Sequence, residues 1–503
     1  MAFDFGTTSL KAAVVETDGG IIAEANARYA FAQPHPGWAE QDPDELWRAA
    51  CAAGREARSL AGAAPRSIDA VVIVAPWKNI IPVAADGTRL HDAIIWMDGR
   101  ARAEAAELEL ALGSTAGGTG QEYWPRLMWL RERMPDVWAG ARWLMGLTTY
   151  LTWRATGAVV TDPSDDFIRM PPGRDTSSRD RILAAAGLEP DLGRFAEQVP
   201  SAREVGRLHP AAAGELGLAP GTRVLSAFGD IPAVTIGAGP LEPGAAHIYF
   251  GTSSWLAVVA DAREPIEAPL AVAVDAQHDV AVFPLQTGCL AVDWIVEQLY
   301  GAEQAHLDDR IHELVNAQIA EIPPGSGNLL ATHWLNGELP PLSKSARGVF
   351  LGLTTSHDRR HMVRAVMESL CYTHRASIER LEAQTGRRLD EVRVVGGGAV
   401  SEVWMQMLAD VLRRRVVVPD RPRATGVLGA AICALAAEAH AGDLAAASRS
   451  AAAEAARGSA RVLEPDPAAA DAYDRMFALS MRIHPALAEL FVELDHDPAE
   501  AGA

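Results

Sequence analysis

The chain has 503 residues, 49% hydrophobic and 22% charged, a globular composition too long for one core and sized for two domains. Its 65 acidic residues outnumber 45 basic ones, for a formal net charge of −20. That balance argues against non-specific nucleic-acid binding and against docking on an anionic membrane, and any polyphosphate ligand would need a metal ion or local donors to offset repulsion.

The first predicted strand is short. Only Met1, Ala2 and Phe3 precede Asp4, so the natural chain is expected to start a few residues further upstream. Asp4-Phe5-Gly6-Thr7-Thr8-Ser9 reads as a turn, and a second strand follows through Ala12 to Val15. Strands are predicted over 70–75 and 93–96, joined through 80–83 and the turn 85–87, and helical spacing covers 124–133 and 143–155. Residues 171–181, rich in Pro, Gly, Arg and Ser, read as a surface loop. A strand over 224–228 runs into Gly229-Asp230, and 231–238 reads as helix. The Pro/Gly-rich segment 239–244 is the boundary candidate, dividing the chain into 1–240 and 241–503. Beyond it lie Phe250-Gly251-Thr252-Ser253-Ser254 between two apolar runs, a strand over 281–285 and a long helix over 361–384. A strand into a glycine turn follows over 392–398, then helix over 402–412 and an alanine-rich helical stretch over 430–457.

The phrase around Gly6 returns around Gly251, 245 residues on, each time between two strands. Such hairpin tips expose backbone N–H groups and hydroxyls together, and glycine lets an anion approach closely. One copy is ordinary turn chemistry. Two suggest a duplicated fold gripping one polyphosphate between its halves. Asp4 beside the first tip can hold Mg²⁺ through water or cap the turn, and Lys11 can reach a phosphate or lie on a solvated face. Asp230, at a strand-to-helix junction, can accept the proton of an attacking hydroxyl or cap the helix. Gly396-Gly397-Gly398 leave room for a nucleotide on bare backbone, and Gly288 is a second close-approach candidate. The pattern is not GxGxxG, which disfavours a dinucleotide fold. Cys51, Cys289, Cys371 and Cys433 lack paired spacing and read as buried thiols of a reducing compartment. No signal peptide is visible, and the longest apolar stretch, 427–437, is too short to span a bilayer, so a cytoplasmic enzyme is expected.

Several stretches together resemble the FGGY family of carbohydrate kinases, over nearly the whole length. They are residues 4–11, 37–43, 94–100, 161–164, 228–230 and 251–254, then Asn336-Gly337-Glu338, 346–353, 396–404 and 408–411. The resemblance implies an α/β fold of two ribonuclease-H-like (actin-like ATPase) domains with an interdomain cleft that closes over ATP and a sugar. It implies Asp230 as catalytic base and Asp4 as the Mg²⁺-side carboxylate. It implies an ATP site of Gly6, Thr7, Thr8, Lys11, Thr252, Gly288, Gly397, Gly398 and Ala399, with Asp98 and Arg100 near the sugar. The implied activity is phosphotransfer from MgATP to an alcohol, with a pentulose such as xylulose as leading acceptor and a tetritol, other polyol or sugar acid as alternatives. The implied partners are small molecules, with neither nucleic acid nor membrane; a homodimer is allowed.

Xylulokinase-like members carry Gln-Met-His-Gly where this chain has Pro76-Trp77-Lys78-Asn79. Trp77 offers a flat face for a sugar, and Lys78 in a closed pocket must be solvated or paired, by a substrate carboxylate, a phosphate or a neighbouring acid. Leu339 stands where arginine usually follows the glutamate. The rival readings are a regulatory ATPase of the same fold without sugar chemistry and a polymerising structural protein; the first has no use for both Asp230 and 96–100, and the second has only the fold to recommend it.

Overall fold

The computed structural model describes residues 1–16, 20–113, 120–339, 342–455 and 458–495. Two sheets organise it. The first runs Glu204–Arg207, Arg223–Leu225, Ala70–Val74, Ala2–Phe5, Ser9–Val15, Ile21–Arg28. The second runs Leu270–Ala273, His278–Leu285, Ser254–Asp261, Ala246–Phe250, Glu391–Gly396, Arg415–Val418, Arg461–Leu463.

Five strands of each sheet match in order and sense. In both, a hairpin (2–5 with 9–15; 246–250 with 254–261) takes a third antiparallel strand on its far side. In both, the hairpin's first strand then pairs parallel with a fourth, and the fourth parallel with a fifth. The duplication expected from the repeated turn is therefore a duplication of the whole sheet.

Period-two alternation serves two cores at once. Val71 and Ile73 pack with Phe3, Leu46 and Trp47 in the core of the first half, whereas Val72 and Val74 face a core shared by both halves. That shared core holds the helix after each fifth strand, Asp230–Ala238 and Thr425–Ala439. They cross at glycine: a Cβ on Gly237 would overlap the Thr425 carbonyl oxygen, and one on Gly429 the Ala233 carbonyl oxygen. Both helices start at the cleft between the halves, which places Asp230 at one edge of it and Thr425-Gly426 at the other.

Three expectations need correction. Residues 143–155 are not one helix: Trp143–Met145 is a strand paired with Ile81–Val83, and Leu147–Thr156 is the helix. Gly146 between them has extended backbone, and a Cβ there would press 2.7 Å from the Asp165 carboxylate. The 171–181 loop contains the start of a helix, Ser177–Ala185, anchored by buried Leu183 and by Arg179 donating to the Asp166 and Arg169 carbonyls. The alanine-rich stretch is two helices, Thr425–Ala439 and Leu444–Ala455, broken where Ala441 and Gly442 take positive φ (53° and 88°); Arg457 lies outside the described residues. All four cysteines are free, three of them buried and Cys289 partly exposed. Among the described residues no single helix is long and apolar enough to cross a membrane.

Candidate active site

A cleft cavity of about 240 Å³ lies between the two halves. The first hairpin enters it with Gly6, Thr7, Thr8 and Lys11, and the second with Thr252 and Ser253. Each tip is closed by its own glycine N–H: Gly6 donates to the Ser9 carbonyl (2.8 Å) and Gly251 to the Ser253 carbonyl (3.0 Å). The first tip is also braced from behind, by Tyr29 Oη to the Gly6 carbonyl (2.6 Å), Gln41 Nε2 to the Thr7 carbonyl (2.7 Å) and Trp96 Nε1 to Thr7 Oγ1 (3.1 Å). The second is braced by the start of helix Cys289–Leu307, where Gly288 N–H donates to the Thr252 carbonyl (3.0 Å) and Cys289 N–H to the Gly251 carbonyl (2.8 Å). These braces end on oxygen atoms of the tips, carbonyls and the Thr7 hydroxyl oxygen, so they do not use up the tips' hydroxyl hydrogens, which an anion site requires.

Two carboxylates stand in the cleft. Asp230 is the first residue of its helix, with Gly229 as the cap; its Oδ1 accepts the first-turn Ile231 N–H at 3.0 Å, which leaves Oδ2 for the cleft. Burial first, then the negative charge of Asp4, pushes its carboxyl up to about 7; the N–H groups of Ile231 and Trp77 oppose the rise. Asp4 is likewise raised by burial, opposed by Lys11, its partner across the first hairpin. Helix Thr425–Ala439 begins against Asp4 so closely that a Cβ on Gly426 would overlap the carboxylate.

Two like charges held close in a buried cleft are a place for a cation. Among the described residues no three His, Cys, Asp or Glu side chains converge to hold a metal by themselves. The donors therefore fit an ion that arrives already coordinated by phosphates and water. The backbone at the glycine turn is open: nothing lies within 4 Å of a Cβ placed on Gly397, and Gly396 reaches its φ of 96° beside it.

The expected site residues divide into four groups. Asp4, Gly6, Thr7, Thr8, Lys11, Asp230, Thr252 and Gly397 share the cleft. Gly288, Gly398 and Ala399 stand behind it: Gly288 supports the second tip, Gly398 packs on Phe250, Cys289 and Trp404, and Ala399 is fully buried. Asp98 and Arg100 are a correction, because neither side chain reaches the cleft. Asp98 is fully buried, taking the N–H groups of Ala39 and Arg100 and two bonds from the Arg100 guanidinium. Arg100 also binds Glu40 (2.6 Å) and lies between Trp38 and Trp129 (3.8 and 4.8 Å from the ring centres). The pair holds 37–43 against 94–100 and so shapes the wall that carries Trp96. Trp77 and Lys78 form the wall next to Asp230, with Trp77 buried 5.3 Å from Phe167.

Sequence reasoning left out Trp96, Tyr249, Trp255, Arg423 and Gly426, all of which line the cleft; Gly396, read as part of the glycine turn, lines it too. Trp96 could have been found, since it opens the 96–100 stretch. Gly426 and Arg423 carried no local signal.

Profiles of the FGGY family of carbohydrate kinases match residues 1–237 (N-terminal domain) and 246–438 (C-terminal domain). The xylulose kinase of Bacillus subtilis (strain 168) is 27% identical over 451 residues, covering 86% of this chain and 87% of that one. The glycerol kinase of Delftia acidovorans (strain DSM 14801 / SPH-1) is 30% identical over 468 residues, covering 86% and 89%. The crystal structure of gluconate kinase from Lactobacillus acidophilus superposes with a TM-score of 0.82 over 98% of this chain and 99% of that one; at 22% identity it attests the fold alone.

Proposed function

The chain belongs to the FGGY family of carbohydrate kinases, and from that premise we propose that it transfers the γ-phosphoryl group of MgATP to a hydroxyl of a small polyhydroxylated acceptor, with Asp230 as the base. The observation that carries the reading is the pairing of Asp230, pushed up to about 7, with two phosphate-type hairpin tips in one cleft. A carboxyl near 7 accepts a proton from a hydroxyl more readily than an ordinary surface aspartate. Asp4 would hold Mg²⁺ from its side, the two tips would hold phosphate oxygens, and Gly396 and Gly397 would leave space for the nucleoside. Bound MgATP supplies the phosphoryl group: the acceptor oxygen bonds to phosphorus as the bond to ADP breaks, and the acceptor proton passes to Asp230. Lys11 and Arg423 line the cleft and add local positive charge to a strongly acidic protein. Trp96 holds Thr7 Oγ1 while its ring forms part of the acceptor wall. A cytoplasmic enzyme accords with four free thiols.

Support for the acceptor is divided. A pentulose is supported by the xylulose kinase relative and a triol by the glycerol kinase relative, while the wall beside Asp230 points elsewhere, as argued below. The test is ADP release from MgATP against a panel of pentuloses, tetritols, hexitols, glycerol and aldonates. At least one acceptor is expected to stimulate release tenfold or more, that is, by about 1.4 kcal/mol or more of barrier. Release that no acceptor changes would favour a regulatory ATPase on the same fold.

A further inference from the structure

We propose that Lys78 selects the acceptor by pairing with a carboxylate carried on it, so that the substrate is a sugar acid in preference to a neutral sugar or polyol. The inference rests on the kinase reading and adds the substrate class.

The position of Lys78 comes from the catalytic strand itself. Ala75, just past strand Ala70–Val74, forms a bridge with Gly229, and its carbonyl accepts the Asp230 N–H at 3.2 Å. Trp77 lends its backbone N–H to the Asp230 carboxylate. Lys78 is the next residue, so its side chain springs from the wall that holds the base.

Its backbone is held in a conformation lysine disfavours. Lys78 has φ of 59°, in the left-handed region. The strain is maintained from both sides: its N–H donates to Asp165 Oδ1 (3.3 Å) and its carbonyl accepts Arg126 Nη2 (2.7 Å). Arg126 is fully buried and also donates to the Ile94 and Ile95 carbonyls, tying this loop to the strand that leads to Trp96. Asn79 Nδ2 closes the turn on the Pro76 carbonyl (2.6 Å). Backbone strain fixed this firmly beside a reacting group aims one side chain.

That side chain lacks a counter-ion. Among the described residues no carboxylate lies within 4.0 Å of the Lys78 ammonium. It stands 4.5 Å from the centre of the Trp77 ring and 5.9 Å from that of Phe167. Burial lowers its pKa to about 8, with Glu122 working against the fall and Arg126 adding to it. The nearby acids are engaged otherwise. Asp165 binds the Lys78 backbone and is itself raised well above the carboxylate range, chiefly by burial, so it offers little negative charge. Asp166 accepts the N–H groups of Ile168 and Arg169 and pairs with the Arg169 guanidinium. Glu122 accepts the Gly120 N–H.

An ammonium with two aromatic walls and no protein anion is completed by an anion from the ligand. One point charge suits one negative charge. A sugar phosphate would bring close to two into a wall that already holds Asp166 and Asp230, so a carboxylate is the group that fits.

The experiment compares kcat and KM for aldonates of four to six carbons with those for the alditols of equal length, for the ketopentoses and for a sugar phosphate. It uses the wild type, Lys78→Asn and Lys78→Arg. Asparagine tolerates the left-handed backbone and removes the charge; arginine keeps the charge. The wild type is expected to prefer an aldonate over its alditol by roughly 100-fold in kcat/KM. Lys78→Asn should lower that preference by about 30-fold or more, mostly through KM, and Lys78→Arg should restore most of it. If the wild type prefers a neutral acceptor or a sugar phosphate and aldonates neither react nor inhibit, the proposal falls while the kinase stands. An aldonate preference that Lys78→Asn leaves unchanged also defeats it. If no acceptor stimulates ADP release and release persists in Asp230→Asn, the kinase reading itself has failed. Should Lys78→Asn not fold, the wild-type ranking of acid against neutral acceptors still decides.

Discussion

Asp230 is asked to be buried and, at working pH, ionised, and those demands pull against each other. Burial and Asp4 lift its carboxyl to about 7, some three units above a free aspartate. Two consequences follow with definite sign. As a base it must be deprotonated, so kcat/KM for the acceptor should climb through an acid limb near pH 7. Asp230→Asn should lose about 10²–10⁴ in kcat with a much smaller effect on nucleotide binding. For stability, the native state holds the proton more tightly than the unfolded chain. The ionised carboxylate therefore weakens folding above about pH 7, a cost that fades as pH falls toward the unfolded value near 4. Asp230→Asn should accordingly raise the unfolding temperature at pH 8, by the equivalent of about 1–4 kcal/mol, and by much less at pH 5. Equal midpoints at pH 8 would mean that the carboxyl is not shifted. Asp230 was legible in sequence because it sits in Phe228-Gly229-Asp230 before a helix. Arg126 was not. Its value lies in donating to the carbonyls of Lys78, Ile94 and Ile95, residues 31–48 positions away that no local pattern joins to it.

The two helices that start at the cleft make the best case for the element scale. Asp230–Ala238 and Thr425–Ala439 follow corresponding strands of the two sheets and cross at Gly237 and Gly429 without side chains between them. Gly429→Ala should separate them, destabilise the protein by about 1–3 kcal/mol and displace Asp230 relative to Asp4. Thermal unfolding and kcat/KM measured together check this, and an alanine variant unchanged in both would show that the contact is not tight. The hairpins were readable beforehand because the turn phrase occurs twice with strands on both sides. The break between Thr425–Ala439 and Leu444–Ala455 is masked by alanine-rich spacing on both sides, although Gly442-Asp443 carries its signal: Ala441 and Gly442 take positive φ, and Asp443 Oδ1 accepts the Ala446 N–H (2.8 Å) at the start of the second helix. Asp98 and Arg100 misled in the opposite direction. Charged residues in a sugar-kinase stretch suggest contact with sugar, yet inside the wall Arg100 spends its Nε and Nη2 donors on Asp98 and Glu40.

At the scale of the molecule, the sheet is present twice and the cleft is where the copies meet. Duplication explains why phosphate-type tips face each other and why a helix starts at each edge. It also explains the asymmetry: Asp4 occupies the position that Tyr249 holds in the second copy, and Asp230 the one Thr425 holds, so both carboxylates come from the first half. The second half then contributes hydroxyls, bare glycine backbone and Arg423. On the proposed function, such a division would let the first half keep the acceptor and base while the second brings the nucleotide, and closing the cleft would remove water from both. MgATP with acceptor should reduce the radius of gyration in solution scattering more than MgATP alone does.

The central claim is that Asp230 takes the proton of an acceptor hydroxyl in this cleft. Its most direct test is acceptor-dependent ADP release by the wild type and Asp230→Asn, measured with the best acceptor from pH 5.5 to 9. The account predicts strong stimulation of the wild type with an acid limb near pH 7, and stimulation lower by orders of magnitude, without that limb, in the variant. Equal acceptor stimulation in both proteins would contradict it.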